Sequence, residues 1–257
     1  MKSQQPVISL QGVTKDFGAV RALDNVSVAL GCGQLLAIIG PNGSGKTTLL
    51  RSLVGLVQPD SGELAVSGLN PQTHSYEITK LVAVVPDEDD IIESLTAREY
   101  LAFIAALYEV DRTKSAELIE RSLNLLGLSE VGSQLAGTFS HGMRKKLQIA
   151  GALVSGVKIL IIDEPTNGLD PDMISLIQAL LARLRNDGYT IIVATHQLDF
   201  AASIADSVLI LRSHVYAYDS VQALLKQTNS LTLAQAYLSL TGGTDYETSI
   251  NTFLAHR

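Results

Sequence analysis

From residue 7 to residue 30 the chain mixes β-branched and apolar positions with polar ones, broken by turn signals at Gly12, Gly18 and Asp24-Asn25. That pattern predicts a small antiparallel β region. The run Leu35-Leu36-Ala37-Ile38-Ile39 is different in kind, an unbroken apolar stretch of strand length, as in strands buried on both faces. A Gly-rich turn follows it, and a helical pattern runs from residue 47 to 57. A further short strand lies in Val82-Ala83-Val84-Val85-Pro86. From about residue 96 to 156 helical periodicity takes over: 100–108 is almost wholly apolar, 115–126 is amphipathic, and 143–154 continues the pattern. Buried-strand runs return at 159–162, 190–194 and 208–211, separated by helical stretches around 171–185 and 198–205. This alternation predicts an α/β fold with a mainly parallel sheet, a small N-terminal antiparallel β region and an inserted helical subdomain at about 88–157. The main domain is placed at 1–224 and a C-terminal helical tail at 225–257.

Composition adds constraints to that picture. The 257 residues are 46% hydrophobic and 18% charged, which is a globular balance well away from disorder. The 26 acidic against 19 basic residues give a net charge of −7, which argues against a broad electrostatic footprint for nucleic acid. Cys32 is the single cysteine, so the chain has no intrachain disulfide and no cysteine-based metal cluster, as suits a reducing compartment. The opening residues hold no apolar core of a secretory signal, and glycines and polar residues interrupt the longest charge-free window, 25–45. The expected location is therefore the cytoplasm, with any membrane association supplied by another chain.

The first chemical signal is Gly40-Pro41-Asn42-Gly43-Ser44-Gly45-Lys46-Thr47, which fits G-x-x-x-x-G-K-[ST] between a predicted strand and a predicted helix. Glycines let the backbone curl so that several N–H groups point at one phosphate, and the helix start adds its positive dipole end. Lys46 is placed to reach the β- and γ-phosphates, and the Thr47 hydroxyl to ligate Mg²⁺, with Thr48 beside them in the nucleotide-binding set. The second signal is the apolar strand Ile159-Leu160-Ile161-Ile162, which ends in Asp163-Glu164. Strand C-termini of a parallel α/β sheet open onto the ligand crevice. Asp163 then suits the Mg²⁺ shell and Glu164 suits general-base work on water; a solvated acidic turn is the lesser reading of the pair alone. Together these signals predict a P-loop NTPase core.

Phe139-Ser140-His141-Gly142-Met143 opens the helical stretch that leads to the Asp163 strand. Ser140 and the amides near Gly142 lie at a helix N-terminus, a position for an anion or for an ordinary N-cap. The segment resembles the signature sequence of the ATP-binding cassette family, usually Leu-Ser-Gly-Gly-Gln. The order of the remaining motifs supports the resemblance over 7–224. Asp163-Glu164-Pro165 is followed by Gly168-Leu169-Asp170, which resembles the family's D-loop, and then by Ala194-Thr195-His196, which resembles its switch histidine.

The resemblance implies that Phe17 stacks on adenine and that two cassettes, as a homodimer or heterodimer, close head to tail on ATP. Ser140, Gly142 and Asp170 would then meet the neighbour's nucleotide while Glu164 and His196 act on the chain's own. It further implies Mg²⁺ as cofactor and a separate transmembrane permease subunit as partner, holding the cassette on the cytoplasmic face of the membrane. His141 and Met143 make the signature most like the ABC-2 exporter type, so export is the expected direction. The alternative is a soluble cassette ATPase that serves as an assembly or interaction factor. One position departs from the family pattern: Asp87 stands where a glutamine usually touches metal and water. A carboxylate oxygen there still suits Mg²⁺. Asp87-Glu88-Asp89-Asp90 is either a solvated acidic loop or a dock for a partner helix rich in Lys or Arg, with Asp89 and Asp90 as the charges to test.

Overall fold

The computed structural model describes residues 6–243 together with Leu254. The expected hairpin is built from β1 (Ile8–Phe17) and β2 (Val20–Leu30), followed by β3 (Leu35–Ile39) and the helix α1 (Lys46–Leu53). Next come β4 (Ser61–Val66), the short α2 (Ser75–Thr79) and β5 (Val82–Val85). Three helices follow without an intervening strand: α3 (Ala97–Leu107), α4 (Arg112–Leu125) and α5 (His141–Val154). The alternation then resumes with β6 (Ile159–Asp163), α6 (Pro171–Asn186), β7 (Thr190–Thr195), α7 (Leu198–Ile204), β8 (Ser207–Arg212) and β9 (His214–Asp219), closed by α8 (Val221–Thr228) and α9 (Leu233–Thr241). The remainder of the predicted tail lies outside the described residues.

Two sheets form. β2-β1-β4 is antiparallel, and β5-β6-β7-β3-β8-β9 is parallel except for its last strand. The unbroken apolar runs are the strands at the centre of the larger sheet, and β3, β6 and β7 are buried at every residue. Their period-2 geometry sends alternate residues to opposite layers. Leu36 and Ile38 pack toward α1 and the small sheet, beside Leu49, Leu53 and Val26. Ala37 and Ile39 pack the other way, beside Ala201 and Leu224. α1 is therefore held between two sheets, and the loop before it has little freedom.

Two local expectations are corrected, and one strand comes as an addition. Gly12 and Asn25 do not turn the chain; both have positive φ and sit within β1 and β2, where register shifts mark β-bulges, and only the turn at Gly18 reverses direction. The first helix stops at Leu53 rather than residue 57, because Gly55 adopts φ 80° and Leu56 N–H closes back on Arg51 O at 2.9 Å. β9 arises without a Gly or Asn-Gly turn, since Ser213 takes φ 62° between β8 and β9.

The strand registers determine where the site lies. Ile39 pairs with Thr195, Asp163 with Ala194, and Val85 with Ile162, all in parallel. The C-terminal ends of β3, β5, β6 and β7 are thus level, and the residues that follow them emerge along one edge. Those residues are the loop 40–45, Asp87, Glu164 and His196.

Candidate active site

Along that edge lies a cleft of about 350 Å³, lined among others by Ser44, Lys46, Thr47, Asp87, Glu164 and His196. Asn42, Gly43, Gly45, Thr48 and Asp163 also line it. The loop from Gly40 to Gly45 is shaped by close approach. Gly45 has φ 99°, and a Cβ there would lie 2.3 Å from Ala22 O on β2. Gly45→Ala is expected to lower the melting temperature by roughly 5–15 °C, because left-handed strain and overpacking of about 1–3 kcal/mol each add in a chain of this size. Gly43, at φ 78° with open space around its Cβ position, supplies the control. Gly43→Ala should lose only the strain portion; equal shifts for the two variants would remove the close-approach contribution.

Lys46 is buried, and its Nζ donates to Gly40 O at 2.8 Å and to Pro41 O at 3.3 Å. It also lies 3.9 Å from Glu164 Oε1. The ammonium is folded over the mouth of its own loop, where arriving phosphate oxygens can replace the carbonyls. Thr47 Oγ1 donates to Asp163 Oδ2 at 2.8 Å. Burial first, and then the nearby Glu164 and Asp87, push the Asp163 carboxyl above the usual range, against the pull of Thr47 and Lys46.

That surplus of negative charge fits a cation. No group of three or more carboxylate, imidazole or thiolate residues among the described residues is placed to hold a metal ion. Mg²⁺ commonly binds in this way, through one or two protein oxygens plus substrate phosphates.

Glu164 is the most constrained residue of the site. It is buried, holds φ 48°, and donates its N–H to Ala194 O at 2.8 Å. A left-handed glutamate costs about 1–3 kcal/mol, and such strain tends to collect at functional positions. The carboxylate accepts from Thr195 Oγ1 at 3.0 Å through Oε2, while His196 Nδ1 stands 2.9 Å from Oε1. With Glu164 ionised, Nδ1 carries the proton and donates. The His196 side chain is about half exposed at 51%, so its ring reaches from the buried carboxylate to the open cleft.

Asp87 comes to the site as expected, and Asn167 Nδ2 donates to its Oδ1 at 2.8 Å. Sequence reasoning did not single out Asn167; its place between Glu164 and Gly168 was the available signal. Phe17 is 52% exposed at the end of β1, and its cross-strand partner Val20 lines the cleft, so the ring stands at the rim.

Ser140, Gly142 and Asp170 are not among the residues lining this cleft. Ser140 caps α5 by accepting Met143 N–H at 3.3 Å, and Asp170 caps α6 by accepting Met173 N–H at 2.9 Å. These two helix starts are pressed together: a Cβ on Gly142 would lie 2.3 Å from Gly168 O. The structure thus brings the helix starts that bear these three residues together, away from the cleft.

The fold and the cleft are those of the phosphate-binding-loop NTPase class. Residues 23–167 match the ABC transporter family, and the chain belongs to that family. It is 32% identical to the SkfA peptide export ATP-binding protein SkfE of Bacillus subtilis, over 80% of this chain and 85% of that protein. It is 33% identical to the cobalt import ATP-binding protein CbiO of Rhodobacter capsulatus, over 91% of this chain and 85% of that one. Other curated relatives are longer, and the chain spans 32% and 44% of the length of two of them. Among solved structures, the ATP-binding cassette MJ0796, in a dimeric post-hydrolysis state bound to ADP and Pi, superimposes with a TM-score of 0.76 at 26% identity, covering 83% of this chain and 98% of that one.

Proposed function

We propose that this cassette binds Mg²⁺·ATP in the cleft, pairs head to tail with a second cassette, and powers export through a separate membrane subunit. The observation that carries the reading is the division of one chain into two half-sites. The phosphate loop, Asp163, Glu164 and His196 share one cleft, while the helix start bearing Ser140 and Gly142 does not line that cleft. A neighbour's ATP would complete the second half-site.

In this reading the loop amides and Lys46 hold the phosphates, and Phe17 stacks on the base. Thr47 Oγ1, Asp163 and Asp87 would hold Mg²⁺, which when bound would offset the charge of the phosphates. Glu164 takes the proton of the attacking water, oriented by the hydrogen bonds from Thr195 and His196. Ser140, Gly142 and Asp170 of the same chain serve the nucleotide across the dimer. Export rests on the likeness of Phe139–Met143 to ABC-2 exporter cassettes; the similarity to an import protein is of the same size and does not separate the directions. No described helix is long and apolar enough to cross a membrane. A permease subunit would therefore hold the chain at the cytoplasmic face.

The contact with that subunit is placed at a groove of about 410 Å³ whose walls include Leu56, Val57, Val84, Pro86, Glu88 and Asp90. Its acidic residues are not equivalent. Glu88 pairs with Arg51 at 3.2 Å, and Asp89 faces His141 Nδ1 at 2.8 Å. Asp90 lines the groove with no such partner among the described residues. The expectation that treated Asp89 and Asp90 alike is refined accordingly. Asp90→Lys should reduce co-purification of the membrane subunit while leaving ATP affinity unchanged. Full recovery of the complex with the reversed charge would remove this surface from the assembly.

A further inference from the structure

One buried charged group has no part in the chemistry described so far. Lys145, on the second turn of α5, is fully buried, with its ammonium inside the protein. Its Nζ donates to Pro86 O at 2.6 Å and to Asp87 O at 3.2 Å. Burial of an ammonium is unfavourable unless its hydrogen bonds are met, and here two carbonyls of the segment after β5 meet them. Burial pushes this lysine below the usual range, while Asp87, Asp163, Asp89 and Glu164 all pull it back toward the charged form. Lys46 faces two of these carboxylates, Glu164 and Asp163, from the phosphate loop. The acidic cluster is thus held between cations from two different elements.

The neighbouring turns of α5 hold the same segment. Gln148 Nε2 donates to Glu88 O at 2.8 Å, and His141 Nδ1 approaches Asp89 at 2.8 Å. From the other side Asn167 fixes the Asp87 carboxylate. Two consecutive carbonyls caught by one ammonium leave the Asp87 backbone little freedom to rotate. The direction of its side chain is then set by α5.

We propose that Lys145 is a positioning residue: its ammonium fixes the backbone of Asp87 against α5, so the carboxylate that completes the chain's own Mg²⁺ site is tied to the helix whose N-terminus meets the neighbour's ATP. A shift of α5 when Ser140 engages that second nucleotide moves Asp87 with it, and each of the two ATP sites senses the other through a link within one chain. The inference rests on the reading of Asp87 as a site residue.

A double-mutant cycle on the full chain tests it. Lys145→Met keeps the aliphatic stem and removes the donor; it should lower kcat and weaken Mn²⁺ binding to the ADP complex, followed by electron paramagnetic resonance, by roughly 10–100-fold, as loss of an outer partner of a metal ligand does. KM for ATP should stay close to the wild-type value, since the phosphate loop is untouched. In an Asp87→Ala background the same substitution should change either quantity by less than about twofold, because the residue it acts through is gone. An equal loss in both backgrounds overturns the positioning role and leaves Asp87 in the site. An Asp87→Ala variant with wild-type kcat and Mn²⁺ affinity overturns both readings at once. Lys145→Gln, which keeps an N–H donor, carries the same cycle if the methionine variant does not fold, and it should retain more of both quantities than methionine does.

Discussion

Replacing Glu164 by Gln is expected to lower kcat for ATP hydrolysis by roughly 10²–10⁴-fold, the usual contribution of a positioned general base, with ATP affinity retained or increased. The substitution keeps the volume of the side chain and an oxygen for Thr195 Oγ1 to donate to, and it places another non-glycine residue at the same φ of 48°. The fold should therefore survive with its melting temperature unchanged. What is lost is the acceptor for the water's proton. Because hydrolysis then no longer removes the γ-phosphate, the variant should accumulate with ATP bound. Single-turnover hydrolysis measured beside equilibrium ATP binding checks both halves; a variant turning over at the wild-type rate would take the general-base role away from Glu164.

Lys46→Ala should fail at the other end of the cycle, in binding. Truncating one partner of a buried, hydrogen-bonded charge pair costs roughly 2–5 kcal/mol, which is about 30-fold to several-thousand-fold in Kd. In the structure the ammonium already occupies the mouth of its loop, donating to Gly40 and Pro41 carbonyls, so its stem and position are preset for phosphate. It is also the cation nearest Glu164, at 3.9 Å. Its removal leaves Asp163 and Glu164 less compensated, so the variant should bind ADP poorly as well as ATP. Titration with a fluorescent nucleotide gives the comparison. If Kd changed less than about threefold while kcat collapsed, Lys46 would be acting on the transition state alone.

The parts of the site that the sequence made legible are those whose chemistry is local. The loop 40–47 states its shape through glycine spacing, and Asp163-Glu164 is marked by the apolar strand that carries it. The longer-range pieces were invisible for physical reasons. β9 was not foreseen because Ser213, rather than glycine, adopts the left-handed turn before it. Gly12 and Asn25 looked like turns because a bulge and a turn ask the same of a residue, a positive φ. Lys145 lies in Arg144-Lys145-Lys146, and nothing in a run of three basic residues says that the middle one points inward. Its burial depends on carbonyls about sixty positions earlier, delivered by the pairing of β5 with β6. Asn167 and Asp87 are likewise eighty positions apart.

The same contrast separates the two half-sites. Lys46, Thr47, Asp163, Glu164 and His196 meet within one chain because the parallel registers level their strand ends. In the proposed dimer Ser140 and Gly142 meet a nucleotide held by a second molecule. An N-cap serine and a helix dipole account for their local geometry, and in the proposed dimer the anion comes from the neighbour.

The most direct test of an ATP-gated dimer is sedimentation of the Glu164→Gln chain with saturating Mg²⁺·ATP, with Mg²⁺·ADP and without nucleotide. The head-to-tail arrangement predicts a dimer with ATP and a monomer in the other two conditions, and it predicts that adding Ser140→Arg to the same chain abolishes the dimer. A monomer in saturating ATP, or a dimer indifferent to the nucleotide and to Ser140→Arg, would contradict it.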